Sequence, residues 1–129
     1  MVSPSRIYKM KAVKTDHSKH LYQAIRMVRI MQTIDPQMQA QTFMCFLMVA
    51  QFGPCNMQDI KDVANVSQAS LSRNLSALGL IHRRGMPGFG LVETWEDPMN
   101  RKAKLVKLTA KGEALKKQIM EVLSEEFIA

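Results

Sequence analysis

The residues with the clearest chemical use lie along one arc of a short helix, QASLSRNLSAL. Leu71, Leu75 and Leu78 follow one another at steps of four and three. At about 100° per residue such steps nearly close a turn, so the three leucines share a core-facing stripe. The opposite arc holds Ala69, Ser72, Arg73 and Ser76, with Ser70 and Ala77 at one margin and Gln68 and Asn74 at the flanks. Short side chains let a helix approach a groove in a polyanion. Ser, Asn, Gln and Arg can then bond to base edges or phosphates. Ser67 stands where a hydroxyl can cap the first turn, and Gly79 is expected to close the helix in a left-handed conformation.

Two further patterns place this helix. Upstream, Met57, Ile60 and Ala64 recur at helical spacing with Val63 beside them, while Gln58, Asp59, Lys61 and Asp62 fall elsewhere. This predicts a short helix with one buried stripe. Asn65-Val66-Ser67 separates the two, with Asn tolerant of unusual backbone angles and Val66 able to plug the corner. Downstream come the cationic pair Arg83-Arg84, a loop from Gly85 to Gly90, and the strand-like runs LVETWE and KAKLVKL. Between those strands, Asp97-Pro98-Met99-Asn100-Arg101 is rich in turn formers, so Arg101 and Lys102 are expected at or beside a hairpin tip. Such a projection can reach a phosphate backbone or a minor groove, where cations meet concentrated negative potential.

The order of these elements, a helix-turn-helix followed by a basic hairpin, is that of a winged DNA-binding domain. The chain resembles the winged helix-turn-helix regulators of the multiple-antibiotic-resistance regulator (MarR) family. The likeness rests on VSQASLSRNLSALGLIHRR, on the wing DPMNRK, and on VKLTAKGEAL at a strand-to-helix junction, and it spans roughly Gln41 to Leu115. It implies an obligate homodimer whose recognition helices enter successive major grooves and whose wing arginine enters the flanking minor groove. By position, Ser70, Ser72 and Arg73 match the family's contacting helix and Arg101 its wing arginine. Asn100 and Lys102 stand where the family usually has Asp and Arg, and the stretch from Gly85 to Glu96 is longer than usual. The resemblance also implies a possible small-molecule effector.

Charge placement agrees with a polyanionic partner. The 129-residue chain has a formal net charge of +7. Residues 1–35 carry seven Lys/Arg against two acids and residues 67–108 seven against three, whereas the two remaining stretches are each net −1. Lys and Arg that displace condensed counterions drive most non-specific affinity for nucleic acid. Residues 1–16 read as a basic arm without strong periodicity, either a disordered arm that adds phosphate contacts or a short ordered strand or helix that docks on the partner subunit. No apolar run of signal-peptide type follows its charges, so a cytoplasmic protein is expected. There is no Gly-rich phosphate loop, paired catalytic carboxylate pattern or nucleophile turn, so no enzyme is expected. His17, His20, His82 and the two cysteines lack zinc-type spacing, so neither metal nor cofactor is expected. Cys45, among Phe43, Met44, Phe46 and Leu47, reads as core, and Cys55 is the better candidate for a redox sensor.

The remaining segments read as scaffold. Leu21, Ile25, Val28 and Met31 mark a helix from His17 to Ile34, ended by Asp35-Pro36. TFMCFLMVAQF belongs to a buried helix from about Gln37 to Phe52, too short to span a bilayer. Thr109 can cap a helix to about residue 127 with Leu115, Ile119, Val122, Leu123 and Phe127 as its apolar stripe. By analogy with the family, the first and last helices are the dimerisation candidates. The expectation is thus a mainly α winged helix-turn-helix domain over residues 17–129, with helix-turn-helix about 57–79, wing about 91–108 and last helix about 109–127. Its proposed DNA contacts are Ser67, Gln68, Ser70, Ser72, Arg73, Asn74, Arg83, Arg84, Arg101 and Lys102. The function expected is sequence-specific binding of double-stranded DNA by a homodimer on an inverted repeat, as a regulator that represses transcription. The alternatives are a winged-helix module that binds an acidic protein, using Phe89 and Trp95 as anchors, and a non-specific architectural or replication DNA binder.

Overall fold

A computed structural model describes residues 16–80 and 85–125. The basic arm, Arg83, Arg84 and Phe127 lie outside the described residues. Five helices and three strands follow in the order α1 (Asp16–Ile34), α2 (Ala40–Phe52), β1 (Cys55–Asn56), α3 (Met57–Ala64), α4 (Gln68–Leu78), β2 (Val92–Asp97), β3 (Asn100–Leu108) and α5 (Ala110–Ser124). They fall into two compact units, one of Met38–Lys116 and one made from the two ends of the chain, up to Gln37 and from Lys117.

In the larger unit, Phe43, Cys45, Phe46 and Val49 of α2 are buried together with Ile60, Leu71, Leu75, Leu78, Leu91, Val92 and Val106. The leucine stripe of α4 thus faces the core, as its spacing predicts. On α3, Ile60 is buried but Val63 is 58% exposed, so the stripe is narrower than expected. Asn65 adopts a left-handed conformation (φ 53°, ψ 48°) and ends α3 with its N–H bonded to the Lys61 carbonyl. Ser67 then caps α4, its Oγ accepting from the Ser70 N–H at 3.1 Å.

The sheet is antiparallel with order β1-β3-β2. In β3, Val106 faces both Cys55 of β1 and Thr94 of β2. β1 is two residues long, too short to leave a periodic signal, and the sequence reading missed it. The wing tip is tighter than expected: Asp97 pairs with Asn100 after a register shift at Glu96/Asp97, so only Pro98 and Met99 form the turn. Arg101 and Lys102 belong to the strand.

The end of α4 departs from expectation. Gly79 is extended (φ −79°, ψ −170°) rather than left-handed. A helix leaves its last carbonyls without partners, and here the returning segment supplies donors. The N–H groups of Gly88, Phe89, Gly90 and Leu91 bond to the carbonyls of Leu80, Ala77, Gly79 and Leu78 at 2.7–3.1 Å. Gly88 makes this zipper possible, because a Cβ there would sit 2.1 Å from the Gly79 oxygen. The longer stretch before β2 thus serves as the C-cap of α4 and the root of the wing.

In the smaller unit, Tyr22 and Gln23 of α1 are buried, as are Ile119 and Val122 of α5. The Gln23 amide donates to the carbonyls of Val122, Leu123 and Glu125, which closes the end of α5. Arg26 forms an ion pair with Glu125. The apolar stripe of α1 is turned outward: Leu21 is 66% exposed, and Ile25 and Val28 are also exposed, with Met120 and Leu123 of α5.

Candidate nucleic-acid interface

Helix α4 presents Gln68, Ala69, Ser72 and Arg73 to solvent, with Ser70 and Ser76 half-buried. Ser67 Oγ donates to Ser70 Oγ at 3.0 Å, and the Arg73 guanidinium reaches Ser70 Oγ at 3.4 Å. The N-terminal turn of α4 therefore carries a connected set of hydroxyls with one guanidinium beside them. This end of a helix also offers free N–H groups and a positive dipole end, which favours phosphate.

Asn74 is a correction. It is buried (6% exposed), donates its amide to Gln41 Oε1 at 2.8 Å, and accepts from the Thr42 hydroxyl at 2.8 Å. It is not available to an external ligand. A position three residues after Leu71 and one before Leu75 lies at the rim of the core stripe, and Thr42 of α2 offers a partner there that lets an amide be buried without an orphaned donor. Asn74 fastens α4 to α2.

The wing contributes cations on a defined face. Alternation along β3 puts Lys104 on the same side as the buried Val106 and Leu108, and Lys102 follows within the register shift opposite Glu96 and Asp97. Beyond the core this side faces α4, and a groove of about 420 Å³ is lined by Gln68 and Ser72 of α4, Lys102 and Lys104 of β3, and Asn56 and Gln58 at the start of α3. A second groove of about 450 Å³ continues past Lys104 along Ser72 and Ser76 to Thr94 of β2. Lys102 and Lys104 form no ion pair with a described residue. Lys107, by contrast, pairs with Glu93 at 3.2 Å and lies 5.5 Å from the Trp95 ring centre, on the other side of the strand. Sequence reasoning missed Lys104. The signal was present in the two-residue alternation Lys102, Lys104, Val106, Leu108.

Arg101 is exposed at the base of the tip and, unlike Lys102, does not line the groove. The backbone around it is held by Asn100, whose Oδ1 accepts from the Lys102 N–H at 3.2 Å. Gln68, Ser72 and Lys102 thus line one groove, with Ser67 and Ser70 in the adjoining first turn of α4, whereas Arg101 is exposed on the hairpin. Of the aromatic residues suggested as protein anchors, Phe89 is half-buried and Trp95 is covered in part by Lys107.

The cysteines give no support to redox sensing. Cys45 is fully buried. Burial pushes the Cys55 thiol above its ordinary pKa, and the Asp59 carboxylate raises it further. A sensor thiol needs the opposite shift, since the thiolate is the reactive form. Cys55 is therefore expected to be alkylated by iodoacetamide more slowly than free cysteine at neutral pH, with a rate that keeps rising at pH values where free cysteine has levelled off. A rate at pH 7 equal to or above that of free cysteine would contradict this placement. Among the described residues, no three of His, Cys, Asp and Glu gather as a metal site, and no helix is long and apolar enough to cross a membrane.

This arrangement, a capped second helix beside a hairpin with a cationic inner face, defines a winged helix DNA-binding domain, and residues 49–112 match the family model of that description. That match is to a winged helix fold, and the chain shares the fold of the MarR-type regulators. Wild-type MarR from E. coli in its apo form is 19% identical over 97% of this chain and 79% of its own, with a TM-score of 0.59. A MarR mutant from E. coli complexed with operator DNA is 22% identical over 79% of this chain and 69% of its own, with a TM-score of 0.57. A MarR-like regulator from Thermotoga maritima is 27% identical over 68% of this chain and 57% of its own, with a TM-score of 0.54. Another MarR structure is covered over 62% of its length, so this chain spans less than two thirds of some of the proteins it matches. No curated protein matches the chain at the level of sequence.

Proposed function

We propose that this protein is a homodimeric regulator of transcription that binds duplex DNA sequence-specifically, with α4 in the major groove and the wing against the adjoining backbone and minor groove, and that it represses by covering a promoter. The observation that carries this reading is the pairing of two unlike surfaces across one groove. Gln68 and Ser72 present hydrogen-bonding groups on α4, with Arg73 exposed beside them in the helix, while Lys102 and Lys104, free of ion pairs with described residues, line the same groove from β3. Phosphates need the second surface and base edges the first. The E. coli MarR mutant solved with operator DNA supports the same use of the fold.

Arg73 is the principal reader, helped by Gln68, Ser70 and Ser72, with Ser67 holding the first turn. Lys102, Lys104 and Arg101 hold the backbone, and Arg83 and Arg84, a few residues past α4 in sequence, add positive charge. The larger unit is then the reading head. The exposed stripe Leu21, Ile25 and Val28 of α1, with the exposed Met120 and Leu123 of α5, is the dimerisation surface. An apolar stripe of this kind on a soluble protein marks an interaction surface.

Two substitutions separate the roles. Arg73→Ala is expected to weaken a preferred site by about 1–3 kcal/mol and to relax discrimination at one base pair, if the guanidinium reads a guanine edge. Lys102→Ala is expected to weaken all duplexes alike and to flatten the salt dependence by about one unit. Fluorescence anisotropy on a preferred and a scrambled duplex at several salt concentrations measures both. Equal, sequence-independent losses for the two variants would refute this division.

A further inference from the structure

Met99 is 93% exposed, the most exposed of the large apolar side chains described. It lies at the end of the wing next to Pro98, and these two residues alone connect β2 to β3. The backbone of this tip is fixed. Asp97 pairs with Asn100 across the turn, the Met99 N–H donates to Asp97 Oδ1 at 2.9 Å, and the Lys102 N–H donates to Asn100 Oδ1 at 3.2 Å. Proline fixes its own φ. The result is a stiff, narrow projection that ends in two apolar side chains, with the exposed cations Arg101 and Lys102 directly behind them.

A tip that had only to carry cations to phosphates would be served by polar turn residues, and the apolar pair needs another reason. On the reading of this protein as a DNA binder, on which the inference rests, the minor groove supplies one. It is narrow, it has apolar sugar walls, and its potential attracts cations. Methionine and proline are among the side chains that part neighbouring base pairs from that side and kink the duplex. We propose that Pro98 and Met99 form an apolar wedge that enters the minor groove, partly unstacks a base step and bends the DNA, with Arg101 and Lys102 holding the flanking phosphates. The preferred step is a flexible pyrimidine–purine step such as TA. The wedge would add a shape-dependent component to recognition, separate from the base contacts of α4.

The test uses the full-length protein and a short A·T-rich duplex with TA steps, labelled at its two ends for energy transfer and with 2-aminopurine at a central step. Anisotropy at low salt reports binding, end-to-end transfer reports bending, and 2-aminopurine emission reports unstacking. The wild type is expected to shorten the end-to-end distance and raise the emission. Met99→Gln, which keeps the length of the side chain but makes it polar, is expected to bind with an affinity within about tenfold of the wild type and an unchanged salt slope, while bending and emission fall towards those of the free duplex. Met99→Leu is expected to retain both signals. A wild-type complex that leaves the duplex straight, or a Met99→Gln complex that bends and unstacks it as the wild type does, would overturn the wedge while leaving DNA binding intact. Absence of any anisotropy change with the wild type would instead overturn the DNA-binding reading and the wedge with it. A variant that affects only binding to a protein, with DNA bending unaltered, would assign the tip to a protein partner and likewise overturn the wedge.

Discussion

Gly88→Ala is expected to lose about 3 kcal/mol of folding stability, the upper part of the range for forcing atoms into a packed site. The added Cβ would lie 2.1 Å from the Gly79 oxygen, 2.9 Å from the Gly79 carbonyl carbon and 3.0 Å from the Ala77 oxygen. All three are backbone atoms, so no side-chain rotation relieves the overlap. Relief requires the segment from Gly88 to Leu91 to move off the end of α4, which breaks the four hydrogen bonds that close that helix and root β2. Stability and DNA affinity should therefore fall together. Gly85→Ala is the control: nothing lies within 4 Å of its Cβ, and only the positive φ of 72° opposes alanine, at a cost of about 1–2 kcal/mol. Urea denaturation of both variants checks the difference. Equal midpoints for the two would show that the zipper does not hold the end of α4.

The second large effect is expected at Asn74. Asn74→Leu leaves the Thr42 hydroxyl without its acceptor and removes the donor to Gln41. An orphaned buried polar group costs about 1–3 kcal/mol, so a loss of about 2 kcal/mol is expected. Pairing it with Thr42→Val should recover part of that loss, because replacing both partners of a buried bond by apolar groups is close to neutral. Denaturation of the two single variants and the double variant completes the cycle, and strict additivity would contradict the bond. Asn74 also fixes how α4 rotates against α2, so the single variant should lose discrimination between duplexes as well as stability. A DNA-contacting Asn74 would lose affinity with little change in stability.

Much of this architecture was legible because its signals are local. Leu71, Leu75 and Leu78 recur at the helical period, Ser67 and Asn65 occupy the positions their side chains favour, and the alternation in KAKLVKL marks a strand. The parts that were not legible depend on partners distant in sequence. Asn74 reads as a flank of the polar face until Thr42, thirty-two residues earlier, is brought against it. Gly79 reads as a left-handed cap because sequence does not reveal that Gly88 to Leu91 return to bond the same carbonyls. The outward turn of Leu21, Ile25 and Val28 was not legible from their spacing, and only the family resemblance marked α1 as a dimerisation candidate. An apolar stripe has the same spacing whether it packs within its own chain or against another.

Selection of bound sequences from a random duplex library, with the salt dependence of the recovered binder measured alongside, shows whether α4 and the inner face of β3 together read duplex DNA. The account predicts an enriched inverted repeat with half-sites about one helical turn apart and an affinity that falls steeply as salt rises. Binding without any enriched sequence would contradict the assignment of Arg73 and its neighbours as readers, and failure to retain duplex even at low salt would contradict the proposed interface as a whole.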